Sequence, residues 1–319
     1  MSLAWVPGLP GGPEGSLFPF IYPALAYVNL ALAEPTKRAH AAGQLRKLID
    51  LVIPQVARRV QAPGGTLPAL SDYRRHATYL GQLNLALGAY ALISSDQRYA
   101  SLQRQLSDVL DRGLVAARGG PLASYPSYTW PFDTIPALVS LKLDGRHSPT
   151  MAAHHLGWVR TEGSDQWGLP FSQVTSNGAG RARGCDLSFR LCLLPHLDKQ
   201  AASALYQRYA SRFWIDHGVV SGLAEYAGGG ELADIHSGPM IIGIGMSATG
   251  MGLGAAVAAG DEARLRRRCQ GLVNMERIRP MIAQTRVGRL KMDYRYLTGL
   301  LIGDAMLFYT CTWRKWPVG

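Results

Sequence analysis

The sequence predicts an all-α fold, an (α/α)6 toroid in which six inner helices alternate with outer ones. Three observations point there. Apolar segments poor in charge recur roughly every 55 residues, a steady period that marks a repeat architecture even where identities have drifted. Amphipathic segments richer in Arg, Lys and Gln lie between them. Alternating β-branched runs of the kind that make strands are scarce and short. Helices that are apolar all round belong inside a protein, and helices with one polar face belong outside. Eleven long helices are expected, because the sixth apolar segment has no amphipathic partner after it.

Residues 1–15 form an N-terminal extension to a single domain spanning 1–319. The first apolar segment, 16–33, carries no charge. Pro19, Pro23 and Asn29 within it fit a buried core helix better than a bilayer span, which needs about 20 apolar residues. The first outer segment covers 39–61. The second inner segment starts near Tyr73, and the outer segment after it covers 97–117. There Leu102, Leu106, Val109, Leu110 and Leu114, spaced by three and four, make one buried face. The third inner segment starts near Trp130 and is followed by 148–162. The fourth starts near Gly184 and is followed by 198–214. The fifth starts near Pro239, where Gly243, Gly250 and Gly254 read as sites of close helix packing. The last outer segment, 261–279, carries RLRRR at 264–268, read as a solvated face. The sixth inner segment starts near Tyr296.

The connections give the ring a polarity. Inner-to-outer links are short (34–38, 94–96, 144–147, 195–197 and 259–260). Outer-to-inner links are long (62–72, 118–130, 163–183, 215–237 and 280–294). In an alternating ring all the long links fall on one face, and long loops on a rigid scaffold are where function concentrates. The absent twelfth helix leaves a seam for residues 1–15, a neighbouring subunit or a membrane to cover. An uncovered apolar groove is an association site, so a homo-oligomer is expected.

A hydrophobic share of 47% and a charged share of 17% describe a large core. The net charge of +11 fits an Arg-rich surface or an anionic partner. Nucleic acid is disfavoured because the basic residues are dispersed. The four cysteines form no CxxC pair, and the first basic residue, Lys37, follows the first apolar run instead of preceding it. A reduced, cytoplasmic protein is expected, with weak membrane association left open. No dinucleotide, Walker, HExxH or EF-hand motif is present, and no His, Cys, Asp or Glu spacing suits a metal. No cofactor or metal is expected, and the partner is a small-molecule substrate.

The candidate site gathers at the long-link ends of the inner segments. Asp72 and Tyr73 precede Arg74 and His76. Tyr125, Tyr128, Trp130 and Phe132 lead to Asp133. Arg181, Arg183, Cys185 and Asp186 come next, then Glu225, Tyr226, Asp234 and His236, and last Arg286, Arg289, Lys291 and Asp293. Asp133 reads either as a helix N-cap or as a carboxyl that burial among Phe132, Trp130 and Tyr128 makes a better proton holder. Asp234 and His236, two apart, read as caps or as an acid/base pair facing one way on extended chain. Cys185 beside Arg183 has surroundings that lower a thiol pKa. Cys192 reads as packing, and His154 and His155 as surface residues. The catalytic candidates are Asp133, Asp234, His236, Cys185 and Asp72. The binding candidates are Tyr73, Tyr125, Tyr128, Trp130, Phe132, Tyr226 and Met246.

YTWPFDTIPALVSL (128–141), the run 225–256 and YLTGLLIGDAMLF (296–308) resemble the linalool dehydratase-isomerase-like family of (α/α)6 proteins. The likeness extends from about Asp72 onward. It implies removal of water from a tertiary alcohol by Asp, Tyr, His and Cys residues, without metal or organic cofactor, at the ring mouth and beside a neighbouring subunit. Asp72-Tyr73, Asp133, Cys185 and Tyr226 fall in comparable order along the ring. The expectation is therefore a cofactor-independent lyase or isomerase acting on a small alcohol or terpenoid-like substrate. Two alternatives stand beside it. One is a carbohydrate-active enzyme, a glycoside hydrolase or epimerase, with paired carboxylates such as Asp133 and Asp234. The other is a non-catalytic, membrane-associated binding protein, which the 16–33 run and the charge favour.

Overall fold

The computed structural model describes residues 13–146, 149–175, 177–229, 237–283 and 301–317. A one-turn helix α1 (Pro13–Ser16) leads into the first inner helix, α2 (Phe18–Ala33), and its outer partner α3 (Arg38–Arg59). The pairs continue as α4 (Ala77–Ile93) with α5 (Ala100–Ala117), and α6 (Thr134–Leu143) with α7 (Pro149–Thr161). They end with α8 (Gly184–Leu193) and α9 (Lys199–Phe213), then α10 (Met246–Ala259) and α11 (Glu262–Ala283). The inner helix α12 (Leu301–Cys311) follows. The inner helices pack in sequence, α2 on α4, α4 on α6, and so on to α12, which returns to α2. The toroid expected from the periodicity is the fold.

The alternation of composition explains the two layers. Every residue of α4 from Ala77 to Tyr90 is buried, whereas α5 buries one stripe that includes Leu106, Val109, Leu110 and Leu114. Polar groups inside the ring tie helices together. Asn84 Nδ2 of α4 donates to Ser107 Oγ of α5 at 3.1 Å and to Ser140 Oγ of α6 at 2.9 Å.

Three details differ from the sequence reading. Strand exists: among the described residues it forms three two-stranded antiparallel hairpins within the long links. They are β1 (Val174–Thr175) with β2 (Gly178–Ala179), β3 (Trp214–Asp216) with β4 (Ser221–Leu223), and β5 (Met240–Ile241) with β6 (Ile244–Gly245). The last hairpin delays the fifth inner helix from Pro239 to Met246, and Gly243, at φ +84°, serves its turn and not helix packing. Gly250 and Gly254 do mark close approach: a Cβ would lie 2.9 Å from Met306 Sδ and 2.8 Å from Cys192 Sγ respectively. The basic run 264–268 is not wholly solvated either. Arg268 is fully buried, donates to the Gly252 carbonyl and lies 5.2 Å from the Trp214 ring centre.

The seam is closed by the chain itself. Tyr22 of α2 stacks on Tyr309 of α12 at 6.2 Å, and Tyr27 meets Phe308 edge-on at 5.3 Å. Beyond α12 the chain runs back across the ring as a strap. Trp313 Nε1 donates to Cys192 O at 2.7 Å, Arg314 Nη1 to Leu32 O at 3.0 Å and Trp316 Nε1 to Asn29 Oδ1 at 2.7 Å. The Trp316 ring stacks on His196 at 4.7 Å. Direct packing of α12 on α2 removes the need for an outside partner at the seam. Among the described residues no helix is long and apolar enough to cross a membrane.

Candidate functional site

All six inner helices run the same way, so the described long links converge on the face where those helices begin. Just inside that face an aromatic cluster fills the centre of the ring. Phe18 stacks on Tyr22 at 5.0 Å, Tyr22 meets Phe189 edge-on at 5.3 Å, and Phe132 lies 5.2 Å from Phe189. These rings come from the start of α2, the middle of α8 and the turn before α6, and they form a floor. Around it sit three buried carboxyls.

Asp133 ends the 3-10 turn Pro131–Asp133, where a chain held by two proline-containing turns enters α6. It is 0% exposed. The N-cap reading fails, since its side chain makes no capping bond. Instead Oδ2 accepts from Thr78 Oγ1 of α4 at 2.6 Å. Burial drives its pKa up to about 7; the Thr78 hydrogen bond opposes that rise, and the charge of Asp186 adds to it.

Asp186, 8% exposed, stands in the first turn of α8. Arg190, one turn deeper, reaches back with Nη2 to Oδ1 at 3.2 Å and Oδ2 at 3.5 Å. Burial raises Asp186 to about 6, and Arg190 limits the rise.

Glu225 follows β4 and is fully buried. Its chain presses against the start of α8. A Cβ on Gly184 would lie 2.1 Å from Ala224 O, so only glycine fits, and Gly184 N–H donates to Glu225 O at 2.7 Å. The Glu225 carboxyl then receives Arg183 Nε at 2.7 Å, Cys185 N–H at 3.1 Å and the Cys185 thiol at 2.9 Å. It satisfies donors that the first turn of α8 would otherwise leave open. Burial raises its pKa while Arg183 lowers it. Burial and then the Glu225 charge push Cys185 well above the ordinary thiol value. This corrects the sequence reading: the carboxylate outweighs Arg183, and Cys185 is a proton donor to Glu225, not a thiolate.

The remaining candidates separate. Tyr125, half-buried, joins His76, Tyr79 and Trp130 in an edge-to-face rim, with Trp130 at 5.3 Å. Tyr128 is 53% exposed at the tip of the turn that bonds it to Tyr125. Tyr226 lies under the guanidinium groups of Arg181 and Arg183, at 5.1 and 5.4 Å. Asp72 is exposed and closes a turn on Arg74 N–H at 2.6 Å. Tyr73 points to the outer layer, in the space that a Cβ on Gly113 of α5 would enter. Met246 lines a small apolar pocket with Val220, Ile241, Ile244 and Thr249, beside β4; a Cβ on the neighbouring Gly245 would lie 3.4 Å from Glu225 Cβ. Asp234 and His236 lie outside the described residues. His155 is not on the surface: it is buried on the inward side of α7, with Nδ1 3.3 Å from Gly119 O. Among the described residues no group of His, Cys, Asp and Glu could hold a metal ion.

Sequence reasoning passed over Thr78 and Arg190 and did not select Asp186. Asp186 and Arg190 carried a signal, an acid and a base four apart on an otherwise apolar inner helix. Thr78 carried none, since its role depends on a contact across 55 positions.

No family model matches the sequence, and no curated protein matches it. Among solved structures the chain is similar to an α-1,6-mannanase, GH76A, of Salegentibacter sp. HEL1_6. The identity is 10% and the TM-score 0.53, over 93% of this chain and 90% of that chain. That structure is an inactive variant with two consecutive aspartates replaced by alanine, in complex with α-1,6-mannotetrose. The likeness is one of fold, and it lies with a glycoside hydrolase toroid. It corrects the resemblance to the linalool dehydratase-isomerase-like family, and with it the lyase or isomerase reading, including its terpenoid substrate. The motifs that suggested that family include stretches of the inner helices α6, α10 and α12, which a toroid needs whatever its chemistry. The chain itself has no two consecutive aspartates.

Proposed function

We propose that this chain is a carbohydrate-active enzyme that cleaves a glycosidic bond with paired carboxyls, Asp133 and Asp186. One observation carries the reading. Two buried carboxyls at the starts of neighbouring inner helices feel each other's charge, and their surroundings set them apart. Asp133 meets a hydroxyl and holds its proton to about pH 7, while Asp186 meets a guanidinium and loses its proton near 6. Two carboxyls with separated proton affinities are the machinery of glycoside hydrolysis. Asp133 is the acid that protonates the leaving oxygen. Asp186 is the carboxylate that attacks the anomeric carbon or activates water. Trp130 and Tyr125 offer ring faces and edges to sugar C–H groups, and the aromatic floor sets the depth of entry. The mannotetrose bound to the similar fold makes α-linked manno-oligosaccharides the first substrates to try.

The test is hydrolysis of a panel of α- and β-linked oligosaccharides, read by release of reducing ends. The wild-type chain is expected to cleave at least one. D133N and D186N are each expected to lose roughly 10²–10⁴-fold in kcat with the helical circular dichroism unchanged. Full activity in either variant would remove that residue from the reaction. No cleavage across the panel would remove the reading.

A further inference from the structure

Three acids and two guanidinium groups meet at the start of α8. Arg183 Nε bonds Glu225 and Arg190 Nη2 bonds Asp186, whereas Asp133 is bonded by the uncharged Thr78 hydroxyl. Burial makes net charge costly, so a set of three carboxyls and two cations is best held with one proton. Where that proton sits depends on where the cations are. Arg183 and Glu225 are locked together by the backbone of 183–185 and 224–225. The remaining freedom lies between Asp133 and Asp186. Arg190 is hydrogen-bonded only to Asp186, and its charge acts on Asp133 as a lesser influence, behind burial and the Thr78 hydrogen bond.

We infer that Arg190 is a positioning residue: from one turn inside α8 it keeps Asp186 as the carboxylate and leaves the shared proton on Asp133. This rests on the hydrolase reading for its purpose, but not for its measurement. The i, i+4 spacing puts the guanidinium under Asp186 on one helix face. Arg190 is 1% exposed, so water does not screen the pair. The titratable groups around it are Asp133 before α6, His155 on α7, Glu225 after β4, and Arg183 and Cys185 at the start of its own helix. His155 is held neutral by burial first and by Arg190 second, so it adds no competing charge. Cys185 stays protonated against Glu225.

The experiment labels aspartate carboxyl carbons with ¹³C, assigns Asp133 and Asp186 by D133N and D186N, and follows both through pH 3 to 9 by NMR without substrate. In the wild type Asp186 is expected to ionise before Asp133. In R190Q the Asp186 titration is expected to move up by roughly one to three pH units, erasing or reversing that order. R190K, which keeps a cation, is expected to restore most of it. If R190Q does not fold, R190K and the wild type decide. Loss of the wild-type order in a folded R190K protein, or an Asp133-first order in the wild type, overturns the inference. An unchanged Asp186 titration in folded R190Q also overturns it. With an active substrate in hand, the acid limb of the kcat/KM profile should follow Asp186 upward in R190Q and return in R190K. Because the titration is read on the free protein, a failure of hydrolysis leaves it standing, and a failed titration with hydrolysis intact sinks Arg190 alone.

Discussion

At the scale of single residues, the buried acids and histidines pull stability in opposite directions with pH. Asp133 holds its proton up to about 7 in the fold, against an ordinary 3.8. Between those values the folded chain binds a proton that the unfolded chain has released. Stability therefore falls as pH rises from about 4 to 7, by an amount on the order of 4 kcal/mol for a group this deeply buried. Asp186, at about 6, acts the same way over a narrower window. His155 and His196, both pushed down to about 3 by burial, act the other way. Below pH 6.5 the unfolded chain takes up protons that they refuse, so they destabilise the fold as pH falls. D133N removes one contribution and keeps an acceptor for Thr78. The melting temperature of D133N relative to wild type is expected to climb between pH 4.5 and 7 and level off above. A difference independent of pH would contradict a buried, protonated Asp133. The residue itself was legible as a carboxyl within an aromatic loop. Its partner was not, because Thr78 and Asp186 reach it through helix packing that no short motif encodes.

At the scale of elements, the junction between α8 and the strand β4 is set by one missing side chain. Gly184 lets the Ala224 carbonyl approach to a distance that no Cβ tolerates. The neighbouring atom is backbone, so relief means moving the strand. G184A is expected to cost about 3 kcal/mol or more, read from the urea midpoint. By displacing Glu225 it should also make Cys185 react faster with a thiol reagent. A stability loss with Cys185 reactivity unchanged would mean that the strand moves without the carboxyl. Helices were the legible elements, since composition and period survive when identities drift. The outer segment 97–117 and the helix Ala100–Ala117 nearly coincide. The start of α10 was not legible, because Gly243 reads equally as helix spacer or turn until its positive φ is known.

At the scale of the whole molecule, closure of the ring rests on α12 and the strap behind it. Trp316 is buried, hydrogen-bonded to Asn29 and stacked on His196. W316A is expected to destabilise by roughly 3–5 kcal/mol. The loss should be local in character: hydrogen exchange at α2 and α12 should quicken more than at α4 and α6. Uniform acceleration would mean the ring opens as one unit. The number of inner helices was legible from the spacing of apolar segments. The closure was not: a sequence two tryptophans past the last helix gives no hint that both lie against the first and fourth inner helices.

The strap also sets a clock. Asn29 and Trp316 are 287 positions apart, so α2 emerges in synthesis long before its last neighbour does. At a translation rate of about 5–20 residues per second, α2 waits roughly 15–60 s with an apolar flank uncovered. Contacts this distant in sequence also slow refolding from denaturant. For the nascent chain, that flank is both the place where a chaperone would hold and the place where two unfinished rings would stick together.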